Sequence, residues 1–414
     1  MTQQKLNSKI PILIGTGYLK TLYLFLFIFL INLPGVWGQE QFIPPVAKRI
    51  TRFPFTQLTG GIAIVHARLN NFPDTLNFVL DTGSGGISLD SLTVENFNLK
   101  PTASERTIRG IAGIKRVGFV NNQKLVLPGL VVDSLNFHVN NYEILTSVYG
   151  LKIDGIIGYS LFSKYIIKLD YENYFMEVWE PGTLRYPRGG YLIKTPINNI
   201  PVIGSKVEDA RELGGKFYFD SGAGLALLFS EEFVKDSSIF KKGKKMITTQ
   251  AEGLGGKKQM RVTTIKRIKI GPYRFKKVPA YIFDDEFNAT SYPQLCGLIG
   301  NDIFRRFNTV FNYPEKEIHL LPNKRFNEPF DYSYTGLGIF MVDGEITVED
   351  VIKDSPGEKA GFKAGDIIFA IEKDFSKNIQ SYKSLLQHAG TKLRILVMRN
   401  EELIFLTLVV KSIL

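Results

Sequence analysis

Apolar runs separated by turn signals predict a chain made mainly of β-strands. Residues 61–69 are apolar and rich in β-branched side chains. A turn cluster at residues 70–74 separates them from a second apolar run, residues 76–80, which ends at Asp81. Two such runs joined by a turn cluster are typical of a β-hairpin. The second strand of this hairpin is therefore expected to end by presenting a carboxylate.

The same arrangement occurs a second time further along the chain. Residues 202–210 predict a strand, a Leu-Gly-Gly turn follows, and residues 216–219 lead into another aspartate. Both copies end in Asp-Thr/Ser-Gly, which comprises Asp81, Thr82 and Gly83 in the first copy and Asp220, Ser221 and Gly222 in the second. Each copy is followed by an apolar-apolar-Gly segment, at residues 156–158 and 298–300. Self-similarity at this long period indicates a duplicated domain rather than a solenoid.

Each half also contains a glycine-rich segment between these landmarks. The first includes Gly110, Ile111 and Gly113, and the second includes Gly253 and Gly255. Glycine tolerates positive φ angles and close approach of the backbone, so both segments are predicted to be hairpin tips. They are either ordinary surface turns or a pair of flaps over a cleft, and the repeat favours flaps.

These residues together resemble the retropepsin-like and pepsin-like aspartic proteases over roughly residues 50–325. The resemblance implies an all-β fold with two lobes, residues 50–195 and 196–325, related by an approximate two-fold axis. Each lobe would be a small closed β unit, and one chain would carry both, so the protein is expected to act as a monomer. For either aspartate alone, turn capping is an alternative role, but capping does not explain the duplicated surroundings.

The resemblance also implies the chemistry. Asp81 and Asp220 would share one proton, because two adjacent carboxylates do not both ionise easily. The ionised carboxylate would activate water as a general base, and the protonated one would donate to the substrate carbonyl. The catalytic loops would be supported by Thr82, Gly83, Ser84, Ser221 and Gly222, with Ser84 hydrogen-bonded to Asp81 and Ala223 in the equivalent position. An inactive relative that only binds peptides is the alternative.

The composition changes after residue 322, and residues 334–414 resemble a PDZ domain. The supporting motifs are Ser-Pro-x-x-x-Ala-Gly-x-x-x-Gly-Asp-x-Ile at residues 355–368 and Gly336-Leu337-Gly338-Ile339, which matches the carboxylate-binding loop of that family. Such a loop offers backbone N–H groups to a chain-terminal carboxylate, and the adjacent strand edge can pair with an extended peptide. The module either captures a substrate or partner in this way, or packs with its groove filled by its own chain.

The N-terminal segment has a different pattern. Lys5, Lys9 and Lys20 precede an apolar run at residues 22–31, and the small residues Val36 and Gly38 fit a cleavage site. Because the run is short for a membrane-spanning helix, residues 1–38 are predicted to be a signal peptide. An uncleaved membrane anchor is the alternative. Both predict export, to the periplasm or the exterior of a bacterium.

Charge and residue counts narrow the remaining function classes. The net charge is +11 at pH 7, but the lysines are mostly scattered and no nucleic-acid motif accompanies them, which indicates a solvated surface. A membrane-surface scaffold is a third hypothesis that rests on this charge and on the N-terminal run. Cys296 is the one cysteine, so no intrachain disulfide forms. The four histidines are far apart, and we expect neither a metal nor a cofactor.

Overall fold

The computed structural model describes residues 44–253, 256–330 and 335–414. The predicted signal segment at residues 1–38 lies outside the described residues, and so does Gly255. In the described part of the chain, no helix is both long enough and apolar enough to cross a membrane.

The first half of the chain forms twelve strands, three short α-helices and a 3-10 helix at Thr59–Gly61 among its described residues. The strands are β1 (Arg49–Pro54), β2 (Thr56–Gln57), β3 (Ala63–Leu69), β4 (Leu76–Leu80), β5 (Ile87–Asp90), β6 (Thr107–Gly110), β7 (Gly113–Arg116), β8 (Phe119–Leu127), β9 (Leu130–Asn140), β10 (Gly155–Ile157), β11 (Ile166–Asp170) and β12 (Phe175–Trp179). The helices are α1 (Ser91–Asn96), α2 (Glu143–Tyr149) and α3 (Tyr159–Phe162).

The second half forms ten strands and two short α-helices among its described residues. Its strands are β13 (Tyr191–Lys194), β14 (Val202–Glu208), β15 (Glu212–Phe219), β16 (Leu227–Ser230), β17 (Ile247–Gly253), β18 (Gly256–Ile270), β19 (Tyr273–Phe283), β20 (Leu298–Ile299), β21 (Phe307–Asn312) and β22 (Glu317–Pro322). Its helices are α4 (Glu231–Ser237) and α5 (Asn301–Phe304).

The two halves share one strand order. The first sheet runs β3-β4-β10-β5-β9-β8 with β2 outside, and β3 pairs with β8 to close it. The second runs β14-β15-β20-β16-β19-β18 with β17 outside, and β14 pairs with β18. Even the parallel pairs correspond, since β4–β10 and β5–β9 match β15–β20 and β16–β19. The predicted duplication is therefore present in the backbone itself.

A third sheet joins the halves beneath both barrels. Its order is β1-β12-β11-β21-β22-β13, and β11 pairs with β21 at the centre. The order is symmetric about that central pair. Strand β13, which lies at the end of the predicted first lobe, pairs with β22 and occupies the place that β1 takes in the first half. The repeat seen in the strands therefore begins before residue 196.

The C-terminal module forms a separate five-stranded sheet with its own apolar core. Its strands are β23 (Leu337–Val342), β24 (Glu345–Val351), β25 (Ile367–Ile371), β26 (Lys392–Arg399) and β27 (Glu402–Val409), and its helices are α6 (Pro356–Lys359) and α7 (Ile379–Leu385). The strands follow in order from β23 to β27, so β23 lies at one edge of the sheet.

Buried charges hold the segment before this module against the second half. The side chain of Arg306 is fully buried, and its guanidinium donates to the carbonyl of Pro329 at 3.0 Å. Arg305 bonds the Asp302 carboxylate at 2.7 Å and the Glu328 carboxylate at 2.8 Å. Because every cation here has a carboxylate or carbonyl partner, the cost of burying the charges is offset.

Candidate active site

The two predicted catalytic aspartates follow equivalent strands at the centre of the molecule. Asp81 comes directly after β4 and Asp220 directly after β15. Their backbone N–H groups donate to the carbonyls of Ile157 and Ile299, each at 2.9 Å. These bonds extend the parallel pairing of each strand with its neighbour by one residue. Each carboxylate is thus placed by a buried sheet ladder rather than by a free loop.

The hydroxyls of Thr82 and Ser221 join the two loops. Thr82 Oγ1 accepts from the backbone N–H of Ser221 at 2.9 Å and donates to the carbonyl of Phe219 at 2.8 Å. Ser221 Oγ accepts from the backbone N–H of Thr82 at 3.0 Å and donates to the carbonyl of Leu80 at 3.0 Å. All four bonds cross between the halves, and both side chains are buried. They fix the separation of the two aspartates.

Glycine is required at the third position of each tripeptide. A Cβ at Gly83 would lie 2.4 Å from Asp220 Cγ, and a Cβ at Gly222 would lie 2.3 Å from Asp81 Cγ. Each carboxylate therefore packs on the glycine of the other half. The glycine N–H groups donate to Oδ1 of the aspartate in their own loop, at 2.6 Å for Gly83 and 2.7 Å for Gly222. The predicted loop residues of both halves therefore lie together beside the two carboxylates.

The aspartates form one electrostatically coupled pair. Burial, followed by repulsion from Asp220, raises the pKa of the Asp81 carboxyl well above its ordinary value of 3.8. Burial also raises the pKa of Asp220, while the hydrogen bond from Asp81 lowers it. The pair therefore retains one proton at a pH where separate carboxyls would both be ionised.

The contact between Ser84 and Asp81 differs from the one implied by the resemblance. The backbone N–H of Ser84 approaches the Asp81 carboxylate and lowers its pKa, and the backbone N–H of Ala223 does the same for Asp220. Among the described residues, no hydrogen bond joins the Ser84 hydroxyl to Asp81. Because both contacts come from backbone N–H groups, the Ser84/Ala223 difference does not make the two loops unequal.

A cleft of about 910 Å³ opens above the pair. In the described lining, Asp81 and Asp220 are the only carboxylates, and the cationic side chains are Arg106, Arg109 and Lys164. Apolar side chains form much of both walls, namely Val79, Ile108, Tyr142, Leu145, Tyr149 and Ile156 in the first half, and Leu225, Leu228, Met260 and Leu298 in the second. Polar side chains such as Ser134, Asn136, Ser160 and Ser163 lie among them. The cleft therefore suits an extended chain with apolar side chains near its centre.

The β6–β7 hairpin covers this cleft as a flap. Gly110 and Ile111 lie in the cleft lining, and Gly110 is paired with Gly113 at the hairpin tip. The Ile111 side chain packs with the apolar cluster of the second half around Leu228. Arg109 Nη1 donates to the carbonyl of Asn288 at 3.2 Å. The flap thus bridges the two halves above the aspartates.

The described arm of the second predicted flap takes a different course. Strand β17 ends at Gly253, and its arm at residues 247–250 faces the C-terminal module across a groove. Strand β18 runs unbroken for 15 residues, so this hairpin stays in line with its barrel. In the first half, the ladder is interrupted at residues 117–118, where a Cβ at Gly118 would lie 3.1 Å from the Thr102 carbonyl oxygen. The two hairpins therefore differ in their described arms, and the second flap remains a prediction because Gly255 lies outside the described residues.

The predicted peptide-binding residues of the C-terminal module line a smaller cavity of about 260 Å³. Gly336, Leu337, Gly338 and Ile339 form one side of it, and the other side includes Lys383 of α7 and the two residues that follow the helix, Leu386 and Gln387. Gly224, four residues after Asp220, lines both this cavity and the cleft. The module thus lies directly beside the second aspartate loop.

Sequence reasoning missed two contributors to the site. Helix α2 supplies Leu145 and Tyr149 to the cleft wall, although its sequence carries no catalytic motif. Asn301 is buried and donates to the carbonyl of Gly61 at 2.6 Å, while accepting from the Tyr171 hydroxyl at 3.0 Å. A comparison of the repeats could have found it, because the first copy has Tyr159 at the equivalent position.

In the described ranges, the remaining titratable groups form no second candidate centre. The described residues contain no group of three or more His, Cys, Asp or Glu side chains that could hold a metal ion. Burial lowers the pKa of His138 in the cleft to about 4, so this imidazole is neutral at neutral pH. Burial raises the pKa of the Cys296 thiol, which keeps it protonated and weakly nucleophilic.

Comparison with known families agrees with this geometry. The family model for aspartyl protease matches residues 65–161 and again residues 206–303. A PDZ domain model matches residues 347–399. None of the proteins with curated functions matches the chain. The predicted all-β, two-lobed fold with a C-terminal PDZ domain is confirmed.

Proposed function

We propose that this chain, which consists of two aspartyl protease repeats followed by a PDZ domain, is an exported aspartic-type endopeptidase. The observation that carries the proposal is the coupled pair of Asp81 and Asp220 under a flap, with both loops joined by Thr82 and Ser221. A protein that only binds peptides needs neither a shared proton nor four hydrogen bonds that fix the spacing of two carboxylates.

The chemistry follows from the shared proton. The ionised carboxylate of the pair removes a proton from a water molecule, which attacks the carbonyl carbon of the scissile bond. The protonated carboxyl donates to the carbonyl oxygen, and a tetrahedral gem-diol forms. The protonated carboxyl then donates its proton to the amide nitrogen, while the other carboxylate removes a proton from one hydroxyl of the gem-diol. The C–N bond breaks and the acid and amine products leave. The pair is regenerated with one proton, so no cofactor is consumed.

The substrate is an extended peptide segment. The flap leaves a covered passage between apolar walls, and an extended backbone places alternate side chains on opposite walls. The PDZ domain captures a peptide or protein partner through the loop at Gly336–Ile339 and the edge strand β23. A Gly338→Trp variant that keeps the wild-type affinity for a panel of C-terminal peptides would contradict this capture.

Export is part of the proposal and rests on the apolar run at residues 22–31. Mass spectrometry of the protein from an expressing bacterium gives the mature N-terminus. A first residue near position 39 supports secretion with cleavage, whereas an intact Met1 supports a membrane anchor.

The activity is tested by incubating residues 39–414 with a mixed peptide library across acid to neutral pH. Asp81→Asn and Asp220→Asn are expected to be inactive, because each removes a carboxylate from the pair. Asp74→Asn is the matched control, since Asp74 is exposed in the turn before β4. Cleavage by both site variants at the wild-type rate would overturn the mechanism. If the wild type binds peptides and cleaves none at any pH, the chain is a peptide-binding protein instead.

A further inference from the structure

Helix α2 of the protease lies against the peptide-binding groove of the PDZ domain. This groove runs between the edge strand β23 and helix α7, and α2 contacts β23. Ser147 Oγ donates to the carbonyl of Met341 in β23 at 2.6 Å. On the other side, Gln380 Nε2 of α7 donates to the carbonyl of Tyr149 at 2.9 Å. The last turn of α2 thus bonds to both walls of the groove.

The contact is close enough to exclude another chain at that end of the groove. A Cβ at Gly150, directly after α2, would lie 2.4 Å from Ile379 Cγ2 and 3.4 Å from Met341 Cε. The bond from Ser147 also uses a carbonyl of β23, where an added strand would donate its own N–H groups. A peptide bound along β23 would therefore occupy the space that the last turn of α2 already fills.

The other end of the groove holds a cavity of about 260 Å³ beside Gly336, Leu337 and Gly338, and Thr59, Gly60 and Val148 of the first half also line it. This volume is below the range of about 300–1,000 Å³ that is typical of small-molecule sites, so it admits only the end of a peptide. Lys383 lines the same cavity, and its ammonium donates to the Val148 carbonyl of α2 at 2.5 Å, which places a positive charge there. These features fit a chain-terminal carboxylate.

The opposite face of α2 belongs to the cleft. Leu145 and Tyr149 line the cleft wall, while Ser147 and the Tyr149 carbonyl bond to the PDZ domain. A seven-residue helix cannot leave one surface and keep its place on the other. Occupation of the groove is therefore coupled to the shape of one wall of the cleft.

We propose that a peptide with a free terminal carboxylate competes with the last turn of α2 for the PDZ groove, and that its binding withdraws Leu145 and Tyr149 from the cleft wall. Loss of this apolar wall weakens substrate binding, so the ligand raises KM. The kinetic consequence rests on the proposed peptidase function, whereas the competition does not.

The competition is tested with a pool of eight-residue peptides that are randomised except for a carboxyl-terminal leucine, and with the same pool amidated. Binding is measured on the full chain carrying Asp81→Asn, so that the probe is not consumed. In that background, Ser147→Glu places a negative charge against the Met341 carbonyl and is expected to release α2. The free-carboxylate pool should then bind at least fivefold more tightly. Ser384→Glu makes the same change on the exposed side of α7 and should leave affinity unchanged.

Hydrogen exchange gives a readout that does not depend on turnover. The amides of residues 146–150 should exchange at least fivefold faster when the free-carboxylate pool saturates the groove, and not with the amidated pool. The inference would be overturned if the chains with and without Ser147→Glu bound the free-carboxylate pool with equal affinity, or if neither chain bound it. Unchanged exchange of the amides of residues 146–150 under saturation would overturn it as well. In the active enzyme, the free-carboxylate pool should raise KM for a fluorogenic peptide at least threefold. If the chain cleaves nothing while exchange responds, the proposed activity fails and the competition stands.

Discussion

At the residue scale, the proton shared by Asp81 and Asp220 predicts the pH dependence of activity. Turnover needs the pair with one proton, so kcat/KM should rise as the first proton leaves and fall as the second leaves. Because the pKa of Asp81 is raised, kcat/KM should begin to fall only at a pH well above 3.8. We expect a bell-shaped profile, measured with a fluorogenic peptide from acid to alkaline pH. A rate that keeps increasing into alkaline solution would contradict a dyad with one proton.

The same carboxylates also predict a gain in stability on substitution. A carboxyl whose pKa is higher in the folded than in the unfolded chain binds more protons when folded, so the free energy of unfolding falls as pH rises above 3.8. Asp81→Asn removes this loss and should raise Tm by about 2 °C or more at neutral pH. Calorimetry well below pH 3.8 provides the control, because the carboxyl is neutral there in both the folded and the unfolded chain and the Tm difference should disappear.

The hydroxyl of Thr82 is expected to contribute strongly to stability. Thr82→Val keeps the side-chain volume and leaves the Ser221 N–H and the Phe219 carbonyl without their partner in a buried site. We expect a loss of about 2–3 kcal/mol in the free energy of unfolding, measured by denaturant titration. Thr407→Val, exposed on β27, should cost less than about 0.5 kcal/mol. Similar losses in both variants would argue against the cross-bonded loops.

At the element scale, the flap is predicted to act through Ile111. Ile111→Ala removes its packing on the second half and should raise KM about tenfold, which corresponds to roughly 1.4 kcal/mol. Ile114→Ala lies on the same hairpin with a half-exposed side chain, and it should change KM less than twofold. Steady-state kinetics with one apolar peptide distinguishes the two, and equal effects would mean that the flap does not close through Ile111.

The elements also show how far sequence alone could lead. The strand that presents Asp81 and its copy at Asp220 were predictable, because local apolar runs and glycines specify them. The different courses of the two hairpins were not, because one depends on the distant carbonyl of Thr102 beside Gly118 and the other on the PDZ domain next to β17. Contacts between residues far apart in sequence leave no local pattern.

At the scale of the whole molecule, charge is expected to affect substrate choice. The net charge is +11. Apart from Asp81 and Asp220, the described residues that line the cleft include no carboxylate that could neutralise its cationic side chains. Peptides with glutamate toward the ends of the cleft should therefore have a lower KM than their lysine counterparts at low ionic strength. Screening should reduce this difference severalfold at about 1 M salt, where the Debye length is about 3 Å. A preference that is insensitive to salt would contradict it.

The assembly of the chain was only partly predictable. The repeats indicated two lobes and the PDZ motifs indicated a third unit, and both are confirmed. The burial of Arg306 with Asp302 and the contact of α2 with the PDZ groove could not be inferred. A run such as Arg305-Arg306 looks like a solvated surface in sequence, because its partners lie on a segment that only the folded chain brings near. Likewise, nothing in the sequence of helix α2 indicates that it contacts both the cleft and the PDZ groove.

The sheet that both halves share has a further consequence for the proposed peptidase activity. Strand β11 pairs with β21 below the cleft, and the aspartate loops bond to each other at its base. These contacts prevent the two halves from separating as rigid bodies. If the proposed activity holds, a substrate must therefore enter beneath the flap as a single extended strand. Compact proteins should resist digestion until they unfold, apart from their termini and exposed loop tips. Such an enzyme would remove damaged chains from a mixture and spare intact ones.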